Sequence, residues 1–195
     1  MKLRKLPRSF YLRPTIIVAK DLLGKYLVRI LRGKRLIGKI VEVEAYLGEK
    51  DPASHAYRGK TKRNEVMFRE GGHLYVYFTY GMHFCANVVT EGEGKARAVL
   101  IRAVEPMEGI EIMRKLRGRT VEGMNLTNGP AKLCEAFGIV RAENGTDVLG
   151  NEIYIAYAKR ISPSRISAST RIGIKNGAEK KWRFYIKGNE YVSKR

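Results

Sequence analysis

The sequence predicts an α+β fold: a single domain over residues 1–195, with a curved, mostly antiparallel β-sheet and peripheral helices. Three observations carry this reading. A chain of 195 residues fits one domain, and its 44% hydrophobic content can fill a core. Alternating, β-rich runs come in pairs separated by short polar turns, the pattern of hairpins and so of antiparallel pairing. Helical periodicity is confined to a few short stretches.

In chain order, Pro14 and Thr15 open a helical pattern that runs to Leu23, where Gly24 can close it. Tyr26–Leu31 and Leu36–Tyr46 read as two strands joined across Arg32–Gly33–Lys34–Arg35. Alternation in Ile40–Glu44 places Glu42 and Glu44 on one face and Val41 and Val43 on the other. Residues 48–72 are loop-rich, with one short helical stretch around Glu65–Phe68. A loop this long inside a compact domain is usually functional or disordered. In Leu74–Phe78, Leu74, Val76 and Phe78 face the core while Tyr75 and Tyr77 share the other face, and Tyr80–Gly81–Met82 breaks the strand. Phe84–Thr90 and Ala96–Val104 form another hairpin around Glu91–Gly94. Pro106 sits at a helix start, with Met107, Ile110, Met113 and Leu116 at helical spacing. Acidic residues lie early in that helix and basic ones late, as the helix dipole prefers. A second helix starts at Gly129–Pro130 and stops near Gly138. Strands recur around Glu152–Ala158 and Trp182–Ile186, with a final one at Tyr191–Val192.

Charge is the strongest global signal. The 38 Lys+Arg against 19 Asp+Glu leave +19, an excess that repels itself and needs a polyanionic partner. Nucleic acid is the first candidate, an anionic membrane surface the second, and a merely solubilising surface the third. The excess is uneven: residues 1–40 hold twelve Lys/Arg and one Asp, and residues 159–195 hold eleven Lys/Arg and two Glu. Between them, Glu42, Glu44, Glu49 and Asp51 make a locally acidic stretch. Basic ends suit phosphate contacts, and a catalytic carboxylate could sit in the acidic centre.

Cys85 and Cys134 lie far apart in apolar runs and read as buried free thiols in a reducing compartment. The three His show no metal-ligand spacing, and two Cys are too few for an iron–sulfur cluster, so neither metal nor cofactor is expected. The charged N-terminus lacks an apolar signal region, and no apolar run approaches about 18 residues. The expected setting is therefore cytoplasmic, in a prokaryote, associated with the nucleoid through DNA. Gln is absent, in keeping with a hot-growing source.

Three constellations could carry chemistry. Glu42 and Glu44 could be an acid–base couple or simply a solvated strand face, and spacing alone favours the latter. Tyr46, Tyr75, Tyr77 and Tyr80, with His55 and His83, could stack on an unpaired base or merely follow β-propensity. The run Arg58–Gly59–Lys60–Thr61–Lys62–Arg63–Asn64 suits phosphates or an ordinary exposed loop. Asn128–Gly129–Pro130–Ala131–Lys132 opens a helix whose free N–H groups could hold an anion or be plainly capped.

Taken together, these strings resemble a known family. Val43–Glu44–Ala45–Tyr46–Leu47–Gly48, Ser54–His55, Arg63–Asn64, Leu74–Tyr75–Val76–Tyr77, Tyr80–Gly81–Met82 and Phe84–Cys85 are similar to the alkyladenine (3-methyladenine) DNA glycosylases, also called methylpurine-DNA glycosylases. Leu100–Ile101–Arg102–Ala103, Gly129–Pro130–Ala131–Lys132, Arg171–Ile172–Gly173 and Arg183–Phe184–Tyr185 keep the family order, so the resemblance runs from about Leu6 to the C-terminus. It implies Glu44 as the general base that activates water, with Arg102 and the backbone of Ile172 helping to hold that water. It implies Tyr46, His55 and Tyr77 as walls around a flipped base, and Asn87 as the residue that disfavours the guanine amino group. Tyr80 falls on the side chain wedged into the duplex; Met82, His83, Arg63, Asn64 and Lys132 fall on or near the DNA surface. His83 stands where some relatives carry Tyr.

The implied partner is double-stranded DNA containing damaged purines, acted on by a monomer without cofactor or membrane. Hydrolysis of the N-glycosidic bond would leave an abasic site. N-alkylated purines such as 3-methyladenine are the expected lesions, and hypoxanthine is left open. The rival reading is a non-catalytic nucleic-acid-binding module, which would use the same basic segments and Tyr faces but would have no need of Glu44.

Overall fold

The computed structural model describes residues 3–193. Eight strands form one sheet in which every pairing is antiparallel: β1 (Tyr26–Leu31), β2 (Lys34–Tyr46), β3 (Leu74–Thr79), β4 (His83–Thr90), β5 (Arg97–Glu108), β6 (Ile153–Ala156), β7 (Ile166–Ser169) and β8 (Arg183–Ile186). The helices are α1 (Arg8–Tyr11), α2 (Thr15–Leu22), α3 (Ile110–Arg117) and α4 (Pro130–Ala136). The α+β class and the antiparallel sheet are as the sequence predicts.

The sheet is organised around β2. Its 13 residues are more than one neighbour covers. Along one side β2 pairs with β5 over nearly its whole length; along the other, β1 takes Lys34–Lys39 and β8 takes Glu42–Glu44. The sheet therefore forks near Ile40–Val41, and register shifts against β5 on both sides of Glu42 mark the same place. Bulges of this kind bend a strand and re-aim its side chains. The full order is β3-β4-β5-β2-β1-β6, with β8 beside β2 and β7 beyond it. Leu22, Leu133 and Phe137 pack with Val41, Val43, Ile101 and Val104 in the main core, and Ile40–Ala45 of β2 are all buried, the apolar ones in this core.

Several local expectations are corrected. The first hairpin turns on two residues, with β2 already begun at Lys34; Arg32 (φ 49°) and Gly33 (φ 74°) both take the left-handed conformation that a tight hairpin needs. Pro106 does not open a helix. It lies in β5 opposite Gly38, beside a register shift, where a missing N–H costs little. The helix starts instead at Ile110 after left-handed Gly109, and of the expected apolar stripe only Met113 is buried. Phe78 is 38% exposed rather than a core residue, because it lies near the hairpin tip, where it packs on Phe84. Tyr191–Val192 is not a strand, while β7 was not foreseen because Ile-Ser-Ala-Ser is short and polar.

The long segment after β2 is ordered. Asp51 accepts from the backbone N–H groups of Leu47 (3.2 Å) and Ala53 (3.1 Å). Ala56, Val66 and Met67 bury themselves against Tyr75, Val89 and Ala98 as a small second core.

Candidate active site

Glu42 and Glu44 are both completely buried, so neither belongs to a solvated strand face. A buried carboxylate must be paired and hydrogen-bonded to be tolerated, and the two solve this differently. Glu42 Oε1 accepts from Arg183 Nε (2.6 Å), Ser193 Oγ (2.8 Å) and Arg102 Nε (2.9 Å), while its Oε2 accepts from Ser193 N (2.7 Å). Two arginines and a chain segment therefore close over it. Glu44 has a lighter shell: Oε1 accepts from Ile172 N (2.8 Å), Oε2 accepts from the Tyr46 hydroxyl (2.9 Å), and Arg102 Nη1 lies 3.3 Å from Oε2. Arg102 on β5 bridges both acids. Burial opposes its charge, but Glu44 and Glu42 outweigh that and hold its pKa above the ordinary value.

All three partners of Glu44 line a cavity of about 300 Å³, which also receives His55, Tyr77 and Asn87, with Tyr80 at its edge. Glu44 is not itself in the wall. It lies directly behind Tyr46, Arg102 and Ile172. The six predicted catalytic and base-contacting positions that do line the cavity come from β2, the loop after it, β3, β4, β5 and the segment before β8.

The aromatic part of the wall is electrically neutral, while Arg102 brings a charge that is paired with Glu42 and Glu44. The His55 and Tyr77 rings meet edge to face at 4.5 Å, and His55 Nδ1 shares a hydrogen bond of 2.9 Å with the Tyr75 hydroxyl. Partial desolvation of the ring against these neighbours, with Arg63 adding repulsion, pushes the His55 pKa down to about 4 although the residue keeps an exposed side, so the imidazole is uncharged at neutral pH. Burial pushes Tyr75 up to about 12 and raises Tyr46 and Tyr77 further, keeping all three phenols protonated. Asn87, buried on β4, donates from Nδ2 to the Tyr75 carbonyl (3.1 Å), which fixes its amide within the cavity wall.

Of the residues expected at a DNA surface, Tyr80 and Met82 are 82% and 69% exposed at the tip of the β3–β4 hairpin. Tyr80 has φ 52°, a conformation that costs a non-glycine residue about 1–2 kcal/mol and tends to be kept at functional sites. Arg63 is exposed, donates to the Phe78 carbonyl (3.2 Å) and lies 5.8 Å over the Tyr77 ring. Asn64, by contrast, offers nothing to a surface. It is buried, with Oδ1 accepting from Thr61 N (2.6 Å) and Nδ2 donating to the carbonyls of His55 (2.8 Å) and Gly59 (2.9 Å). Its place is under the loop, where it positions His55. His83 is turned toward α4, with Nδ1 3.2 Å from Glu135 Oε1. Lys132 holds Asn128 Oδ1 (2.7 Å) across the start of α4.

Sequence reasoning missed Arg171 and Asp51. Both side chains are fully buried and joined by two bonds, Nη1–Oδ2 at 2.5 Å and Nη2–Oδ1 at 2.8 Å. Arg171 also donates to the Ala45 carbonyl (3.1 Å) and stacks 4.7 Å over Tyr46. The pair ties the loop after β2 to the segment that presents Ile172 N to Glu44. An Asp 120 positions from its Arg leaves no local pattern; the only available signal was the position of Arg171 beside Ile172 in the quoted motif.

A methylpurine-DNA glycosylase family profile matches residues 9–190. The chain belongs to the methylpurine-DNA glycosylase family. It is 56% identical to a protein of Carboxydothermus hydrogenoformans named "Putative 3-methyladenine DNA glycosylase", over 97% of this chain and 99% of that one. It is 50% identical to proteins of the same name from Chlorobium luteolum, over 97% of each chain, and from Methanocella arvoryzae, over 97% and 96%. Membership makes this a DNA repair enzyme, a hydrolase of N-glycosyl bonds whose substrate is DNA. Among the described residues no helix is long and apolar enough to cross a membrane.

Proposed function

We propose that this glycosylase takes an alkylated purine, swung out of duplex DNA, into the aromatic cavity and releases it with a water activated by Glu44. One observation carries the reading: a fully buried carboxylate lies immediately behind the cavity, and all three groups that hold it form the cavity wall. A carboxylate so placed can stabilise an oxocarbenium-like sugar and take a proton from the incoming water, as in sugar hydrolysis.

The step balances simply. The water oxygen forms the bond to the sugar C1′, its proton passes to Glu44, and the electrons of the breaking C1′–N bond leave with the purine. An N-alkylated purine starts cationic and leaves neutral, so no protonated side chain is required for it. The neutral aromatic walls serve this selectivity, and the Arg102 charge is turned to Glu42 and Glu44. Tyr46 and Tyr77 attract a cationic ring by roughly 0.5–2 kcal/mol per good contact, and the uncharged His55 does not repel it. A neutral lesion such as hypoxanthine gains neither advantage. Asn87, with one amide hydrogen committed to Tyr75, is placed to disfavour the guanine amino group.

At the rim of the cavity, Tyr80 is the side chain that fills the gap in the base stack. Its exposure and left-handed backbone, held by the hairpin, support that role. Arg63, Met82, His83 and Lys132 are the further DNA contacts of this reading, and the enzyme acts as a monomer in the cytoplasm. Glu44→Gln tests the assignment: the variant binds methylated duplex but forms no abasic sites. Normal base release by it would sink the mechanism.

A further inference from the structure

At the far edge of the sheet, beside β1 and β6, lies a cleft of about 700 Å³ that shares no residue with the base cavity. Its walls include Arg13, Asp21, Lys25, Tyr157 and Arg160. Three cations thus face one carboxylate, and that carboxylate is already engaged: Arg13 Nη1 donates to Asp21 Oδ2 at 2.8 Å, and Arg160 Nη2 lies 3.8 Å from Oδ1.

Two cationic groups in this cleft have donors to spare. Lys25 is only 7% exposed, and among the described residues its ammonium makes one long hydrogen bond, to the Ala158 carbonyl at 3.3 Å. An ammonium carries three donors, so the others have no protein partner among the described residues and are open to the cleft. Arg13 Nη2 is likewise buried, with no hydrogen-bond partner among the described residues. Buried donors on charged groups are costly when unmet, and here they sit next to one another's positive charge. Burial, then the Arg160 and Arg13 charges, lower the Lys25 pKa against the partial relief that Asp21 gives. Such an arrangement favours an anion. A guanidinium fork, a second guanidinium and an ammonium together suit a tetrahedral oxyanion with several acceptor oxygens better than they suit a two-oxygen carboxylate.

We propose that Arg13, Lys25 and Arg160 form a phosphate-binding cleft, separate from the base cavity. The phosphate comes either from the backbone of a bound duplex or from a small free phosphate; the recognition chemistry is the same. An occupied site relieves the like-charge crowding and satisfies the idle donors of Lys25 and Arg13.

The test compares the full chain with Lys25→Met and with Arg160→Ser, whose side chain is exposed and whose removal leaves the core intact. Thermal unfolding is followed in inorganic phosphate and in chloride at equal ionic strength. Phosphate should raise the wild-type midpoint beyond chloride, and each variant should lose that excess. A second arm measures binding to an undamaged duplex across salt concentrations. If the backbone is the source, the variants bind more weakly and the slope of log affinity on log salt shrinks by about one. If free phosphate is the source, duplex binding is unchanged while the phosphate-specific stabilisation is still lost. Equal responses to phosphate and chloride in the wild type, with duplex binding unaltered in both variants, overturn the proposal. So does a phosphate effect that both variants keep.

Discussion

The two buried glutamates of β2 should fail in opposite ways when each is replaced by Gln. At position 42 every acceptor site is in use: Oε1 takes three donors and Oε2 takes Ser193 N. An amide NH2 in either place sets donor against donor, and the charge that held Arg102 and Arg183 is gone. Breaking a buried ion pair by removing one partner costs about 3–5 kcal/mol. At about 2–4 °C per kcal/mol for a chain of this size, Glu42→Gln should lower the unfolding midpoint by roughly 6–20 °C. At position 44 the amide fits. Its oxygen can keep the Ile172 N–H, its NH2 can donate to the Tyr46 hydroxyl, and Arg102, which loses only its longer 3.3 Å contact, keeps Glu42. The stability cost is then about 1–2 kcal/mol, that of weakened charge-assisted bonds, while base release is abolished. The assays are calorimetric or circular-dichroism melting, and abasic-site formation on methylated duplex under single-turnover conditions below both midpoints. A Glu42→Gln protein that melts like the wild type but releases no base, beside a Glu44→Gln protein that is active, would show that the roles have been assigned the wrong way round.

Three further outcomes follow from the site. Because folded His55 is held near pH 4 while an unfolded His titrates near 6.5, the unfolded chain takes up that proton first as pH falls. Stability should therefore drop between about pH 6.5 and 4 and be unaffected by this residue above that window; His55→Asn should flatten that part of the melting profile, and an imidazole resonance titrating near 6.5 would contradict the burial argument. Replacing Tyr80 with Gly removes the left-handed strain, so the midpoint should not fall, yet affinity for damaged duplex should drop by about 5- to 150-fold, the worth of one stacked side chain; unchanged affinity excludes the wedge role. Arg171→Met leaves Asp51 charged and buried without its partner and frees Tyr46 and Ile172, so it should cost about 3–5 kcal/mol in stability. The double variant Arg171→Met/Asp51→Asn should recover part of that stability in a melting experiment; no recovery would mean that the pair is not the source of the loss.

What the sequence revealed depended on the range of the interaction. Hairpins were legible because turn residues and alternation are local, as at Arg32–Gly33 and in Leu74–Phe78. Pro106 misled because periodicity cannot distinguish a helix start from a bulge at the end of a long strand; the register shift against Ile37–Gly38 decides it. Alternation put Glu42 and Glu44 on one face but could not tell which was structural. That distinction is set by Arg183 and Ser193, well over a hundred positions away. The family resemblance and the basic neighbours of Asn64 point to a surface role, whereas its amide bonds turn inward.

The charge excess also looks different once pairings are known. Much of the basic N-terminal segment is spent within the fold: Arg8 on Asp147, Arg29 on Glu143, Arg35 on Glu108 and Lys39 on Glu105. These residues cannot serve as the bulk of a phosphate-binding face. Arg58, Lys60, Lys62 and Arg63 are instead exposed on the loop after β2, and that loop also supplies His55 to the cavity. Asn64 at its end holds the His55 carbonyl, and Asp51 at its start is locked to Arg171 beside Ile172. Phosphate contacts made by this loop would therefore press on both ends of the base site, the aromatic wall and the backbone that holds Glu44. In such an arrangement DNA binding and alignment of Glu44, the proposed general base, are mechanically one event, so charge-removing substitutions at Lys60 and Lys62 should depress single-turnover base release even at saturating DNA. If base release at saturation is unchanged and only affinity falls, the loop is a tether and not a lever.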